Sequence, residues 1–211
     1  MNKVTIVLVS IFTVYPLFLP QLHAQSNCET ITTSLEKAAQ KHEKLGALTA
    51  HGNYESRSRM MGNSYARNQA MELMAEAVTG YMRNHLTETL SFSSEEQQDR
   101  FAAQLLGESE QGVATIGGQQ YNSSSSFVSL TLHGVREVTS NECPLKNGGS
   151  SIYYKLLAIS PEGIIQTIDE AIVSFAENEE ISGEALIDSW EKSALKASLL
   201  EQQKKYEKKM N

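Results

Sequence analysis

Apolar residues recur along this chain at helical spacing, then at alternating spacing, and the two patterns change places several times. The stretch around which the rest of the chain is organised runs over residues 45–90. It begins as a strand over 47–54, ALTAHGNY, with Leu48, Ala50 and Gly52 on one face and Thr49, His51 and Asn53 on the other. A glycine inside a strand marks a bulge or the close approach of another element, and the following helix is the candidate for that approach. Residues 55–63 are polar and read as a connector. Ser64 then offers an N-cap for a helix over 65–90. Its apolar line is Ala66, Ala70, Leu73, Ala77 and Tyr81, widened by Met74, Val78 and Leu86.

The flanking pattern completes an α+β plan, with a long helix on a small antiparallel sheet and further helices at both ends. Residues 29–45 predict a helix with Leu35, Ala38, Ala39, His42 and Leu45 on one side, stopped by Gly46. A second helix is expected over 95–106, capped by Ser93 or Ser94. Residues 107–126, rich in Gly, Gln, Ser and Asn, read as a long loop or a solvent-washed strand. A strand over 127–138 follows, kinked or bulged at Gly134. Residues 139–150 form a loop holding Cys143, and 151–159 form the clearest strand, pairing antiparallel with the one before. Pro161 opens a helix striped by Ile164, Ile165, Ile168, Ile172 and Phe175. A final helix over 184–209 carries Ile187, Trp190, Ala194 and Ala197 on its apolar line. Its lysine-rich last turns have little apolar face and are expected to fray or extend into solvent.

The first 24 residues predict a secretory leader instead of fold: Lys3 ahead of an apolar run, Pro20, then Ala24 at the cleavage position. The organisation is then a leader over 1–24, an N-terminal helix over 25–46, an α+β domain over 47–182 and a C-terminal amphipathic helix over 183–211. No later apolar run is long enough to span a bilayer. Two cysteines in an exported chain most simply pair, so a Cys28–Cys143 disulfide is expected, with free thiols or intermolecular bridges as the alternatives. Gln25, Ser26 and Asn27 ahead of Cys28 do not fit a lipid-attachment site.

Composition changes this picture little. The 211 residues are 40% hydrophobic, enough for a core, and the net charge of −7 argues against nucleic acid, whose binding needs a basic surface. His42, His51, His85 and His133 show no metal-ligand spacing, although His51 and His133 could lie near each other. The serines at 123–126 have no nucleophile elbow, and Gly117-Gly118 lacks the lysine of a phosphate loop. No cofactor and no catalytic group is implied. Arg57, Arg59 and Arg67 are the densest basic group in the core region and the candidate for an acidic partner or polysaccharide, against a plain solvated connector. Trp190 is either a partner anchor or docked on the domain's own sheet.

The order of elements resembles the Lpp-twenty lipoprotein family of bacterial cell envelopes over about residues 45–175. The matching positions are Ala50 and Gly52; Ala66, Arg67, Ala70 and Ala75; Leu132, Gly134, Val135 and Val138; and Tyr153, Tyr154, Leu156 and Ile159. The resemblance implies a helix packed on an antiparallel sheet, a relation to a domain of the flagellar assembly protein T, and no shared enzymatic activity. It transfers no functional residue. The chain departs from the family in lacking its acylated cysteine. The function expected is a non-catalytic envelope module that assembles with a protein partner or with itself. The alternative is a periplasmic binder of small ligands or glycans, with a cleft between the sheet and the C-terminal helix.

Overall fold

The computed structural model describes residues 19–106, 112–116, 119–123, 130–145, 149–178 and 183–210. Its elements are α1 (Leu19–Glu43), β1 (Leu48–Ser56), α2 (Arg59–Thr89), α3 (Glu95–Leu106), β2 (Gly112–Ile116), β3 (Gln119–Ser123), β4 (Leu130–Leu132), β5 (Val135–Pro144), β6 (Ser151–Ile159), α4 (Pro161–Asn178), α5 (Glu184–Glu191) and α6 (Ala194–Met210). The α+β plan stands. Residues 1–18 of the expected leader, and the glycine pair at 117–118, lie outside the described residues, as does 124–129. The expected cleavage point falls within α1.

The main sheet has the order β1-β6-β5, antiparallel throughout. β6 is central in the strand order and lies between α2 on one face and α1 on the other, and it reads as a near-continuous apolar run. α2 covers one face and joins Ala50, Leu157 and Ile159 to the main core with α4. α1 covers part of the other face, where Leu35 packs with Cys143, Tyr154 and Leu156. The Cys28–Cys143 disulfide pins the α1 side to β5 across a Cα–Cα distance of 5.6 Å. A disulfide fits an oxidising, exported compartment. Among the described residues no helix is long and apolar enough to cross a membrane.

Gly52 makes the close approach its place in a strand suggests. A Cβ there would sit 2.2 Å from the Ala66 carbonyl oxygen and 2.5 Å from the Ala70 nitrogen. Both are backbone atoms of α2 and cannot swing aside. Gly52→Ala is therefore expected to lower stability by about 1–3 kcal/mol through overpacking. Urea unfolding followed by circular dichroism measures this, and an unchanged midpoint would refute the contact.

Five expectations are corrected. α2 starts at Arg59, not 65, because Ser58 supplies the cap, its Oγ accepting from the Met61 N–H. The first turns of α2 are exposed except at Gly62, which sits over the Tyr153 ring, so they carry no apolar stripe to read. The buried face of α2 centres on Ala66, Ala70, Met74, Val78, Met82 and Leu86, with Leu73 exposed. The expected strand over 127–138 is divided: β4 pairs parallel with β2 in a second sheet of order β3-β2-β4, while β5 joins the main sheet. Gly134, at φ +67°, turns the chain between them. β5 continues to Pro144 beyond a bulge between Glu137 and Thr139, so Cys143 is a strand residue opposite Ile152. Its polar edge position hid it as a loop.

The fifth correction concerns the end of the chain. The expected helix over 184–209 is two helices, broken at Lys192-Ser193, where the Ser193 Oγ accepts from the Lys196 N–H. The break resets the phase, leaving Ile187, Ala194 and Ala197 exposed and burying Leu186, Trp190, Leu199 and Tyr206.

Candidate interaction surface

The turn between β1 and α2 is only Arg57-Ser58 long. The Ser56 Oγ accepts from the Ser58 N–H at 3.0 Å, and Ser58 in turn caps α2, so the turn is tied at both ends. The first turn of α2 lies over the sheet, Gly62 against the Tyr153 ring and Arg59 beside Glu142, and turns Met60 (80% exposed) and Met61 (48% exposed) outward. Tyr54 at the end of β1 and Tyr65 on α2 are 43% and 46% exposed, and their rings stack at 4.7 Å. Eight large apolar or aromatic residues are exposed in the described chain, and four of them fall within this stretch of twelve residues. Monomer surfaces scatter such residues singly, so their concentration identifies this tip as the candidate surface.

The three arginines are divided by the helix. Arg57 stands in the turn. Arg59 and Arg67 lie on one flank of α2 with Asn63, which faces Ser140 of β5 at 3.5 Å. The Arg59 Nε is 3.6 Å from the Glu142 carboxylate, which also accepts from the Tyr153 hydroxyl. That ion pair is exposed and contributes little to stability. Arg57 and Arg67 have no ion-pair partner among the described residues. The tip thus presents a tyrosine pair on its β1 flank, methionines at its end and arginines on its β5 flank. Tyr, Met and Arg are the residue types enriched at protein interfaces.

Trp190 does not join this surface. It is 1% exposed, in the main core with Leu186 and Leu199, and its indole N–H donates to the Asp169 carboxylate at 2.5 Å. Lys196 lies 5.4 Å over its ring and bridges Asp169 and Glu191. Burial depresses the Lys196 pKa, but the two carboxylates outweigh that and hold it above the usual lysine value.

The histidines also stay apart. His51 faces α1, whereas His133 is 2.5 Å from Glu170 on α4. Among the described residues no group of three metal-ligating side chains forms. His42 is buried against α6, where its Nδ1 is 2.9 Å from the Tyr206 hydroxyl. Arg136, a donor only, donates to the same oxygen. The hydroxyl proton is thereby directed at a neutral imidazole. Burial first, then the Arg136 and Lys41 charges, lower the His42 pKa in keeping with this. The end of α6 is docked by this contact, where the sequence suggested a frayed tail.

Two depressions accompany these elements. One of about 540 Å³ lies between β1, the second half of α2 and α6, on the side expected for a ligand cleft, and it is open to solvent. The other, about 480 Å³, lies between α1 and the sheet. It depends on the angle at which α1 crosses the strands, which the periodicity of the sequence does not carry.

No family model, curated protein or solved structure matches this chain.

Proposed function

We propose that this protein is a non-catalytic, exported envelope component that works by docking onto another protein through the β1–α2 tip. The observation that carries the reading is the gathering of Tyr54, Met60, Met61 and Tyr65 at one corner, beside Arg57 and Arg59. Such a surface suits a partner with an apolar pocket for a tyrosine or methionine and carboxylates for the arginines. The charged groups buried in the described core are engaged in holding the fold: Lys155 by Glu137 and Lys196 by Asp169 and Glu191. The envelope setting rests on the expected leader, the disulfide and the resemblance to the Lpp-twenty family.

A photoreactive residue placed at Met60 or Tyr65 tests this in cells. A discrete protein adduct is expected from either position, and none from a control at Val173, which is also exposed. Arg57→Glu with Arg59→Glu is expected to remove that adduct while circular dichroism stays unchanged. Adducts that match those of the control position would overturn the reading.

A further inference from the structure

We infer that the groove between α1 and β1 receives an extended, basic peptide segment, which adds as a strand to the free edge of β1. This site lies on the α1 face of the sheet, apart from the α2 tip, and does not require that the tip have a partner.

The inference starts from the edge. β1 is the outer strand of the main sheet. The Asn53 N–H donates to the Gln69 side chain at 2.8 Å, so it points away from β6. Alternation along an antiparallel strand then turns the Thr49, His51 and Glu55 amides outward as well. The Thr49 and His51 amides have no acceptor among the described residues. Gln69 closes the edge at Asn53, and the stretch before it has no strand partner beyond β6 among the described residues. Edge strands are commonly guarded by lysine, proline or a bulge. The stretch Leu48–Gly52 has neither lysine nor proline, and it pairs with β6 without a register shift.

The groove lies beside this stretch. Its floor is apolar, formed by Leu35, Ala39, Tyr154 and Leu156, and Thr49 and His51 line the β1 side. The α1 wall carries Glu36, Gln40 and Glu43. Glu29, Glu36 and Glu43 recur every seven residues and so share one line along the helix, whereas Lys37 and Lys41 stand roughly 100° or more around it. The acidic side of α1 therefore faces the groove and its lysines face away. Glu43 accepts from the Thr49 hydroxyl at 2.5 Å, and Glu36 has no ion-pair partner among the described residues. Glu36 and Glu43 are about 10 Å apart along the axis, within reach of long basic side chains at alternate positions of a strand.

A helix wall beside an open strand edge matches the geometry in which a peptide adds to a sheet, its backbone supplying affinity and alternate side chains supplying choice. A neutral glycan also packs on such a floor and its hydroxyls accept from amides, but it offers neither carbonyls at strand spacing for Thr49 and His51 nor a cation for Glu36 and Glu43. Peptide is favoured because it uses both features, and the carboxylate wall selects a basic one.

The test uses the oxidised, exported protein, isotope-labelled for nuclear magnetic resonance. The probe is an alternating lysine–valine heptapeptide at physiological salt. Saturable shifts are expected at the Thr49 and His51 amides, with none from the matching glutamate–valine peptide. Glu36→Gln with Glu43→Gln is expected to weaken binding about tenfold, the effect of about 1.4 kcal/mol. Peptide N-methylated on its strand-pairing amides, which keeps every charge, is expected not to bind. Equal binding of the methylated peptide would reduce the effect to charge alone and overturn the inference. A groove that shifts with chitooligosaccharide and not with peptide would overturn it in favour of a glycan, and no saturable shift at Thr49 and His51 would overturn it outright.

Discussion

Breaking the Cys28–Cys143 bridge is expected to cost about 4–5 kcal/mol in unfolding free energy. The bridge closes a loop of 115 residues, and the chain-entropy model gives that magnitude for a loop of this length. The native state loses more than a tether. Cys143 is fully buried beside Leu35, Tyr154 and Leu156, and α1 packs on its side of the sheet through this small cluster, with Ile31, Ala38 and Ala39 at its margin and the His42–Tyr206 and Glu43–Thr49 contacts at its end. Once the bridge is gone, fraying of α1 exposes the Tyr154 and Leu156 face and removes one wall of the groove. Cys28→Ser with Cys143→Ala is the suitable pair, since alanine leaves no hydroxyl in the apolar cluster. Guanidinium unfolding by circular dichroism should show the midpoint falling in the double variant and in the reduced wild type alike. A loss below about 1 kcal/mol in both would show that the bridge closes a loop already held by packing. Proteolysis gives a second readout: α1 should become cleavable well before the body of the domain.

How far the sequence reaches is seen best at the glycines. Gly46 was legible as a helix stop, Gly134 as a kink and Gly52 as a close approach, because each leaves a gap in a pattern of larger residues. The α4 stripe and the β6 run were legible for the same local reason. The start of α2 was not, since a helix end standing in solvent has no apolar face and residues 59–63 read as polar connector. The break at Lys192-Ser193 was not legible, because a serine inside a helical pattern can equally sit on a continuous helix. The His42–Tyr206 contact joins residues 164 apart, and nothing local to either one announces the other. The candidate surface was half legible. Arg57 and Arg59 stand out as a local basic group, but the exposure of Tyr54 and Tyr65 follows from how α2 lies on the sheet, which is tertiary information.

Trp190→Ala is expected to destabilise the protein by about 3–5 kcal/mol, the usual range for removing a buried tryptophan. The magnitude follows from what the side chain joins. Its ring fills the main core between Leu186 and Leu199, its N–H donates to Asp169 on α4, and Lys196 of α6 lies over its face. Deleting it opens a cavity and also removes the surface against which the buried Lys196 ammonium is held. Trp190→Phe retains most of the packing and loses the hydrogen bond to a carboxylate, so a cost of about 1.5–3 kcal/mol is expected there. The contrast separates packing from polar contact. For a chain of this length the alanine variant should lower the melting temperature by roughly 6–20 °C. The wild type supplies an independent check, because Trp190 is the single tryptophan. If α5 and α6 belong to the main cooperative unit, unfolding followed by tryptophan fluorescence coincides with unfolding followed by circular dichroism. An earlier fluorescence transition, together with an alanine variant that loses less than about 1 kcal/mol, would make the C-terminal pair a separately docked appendage. Coincident transitions with the full loss would make it structural, leaving the exposed α2 tip as the surface on which to seek a partner.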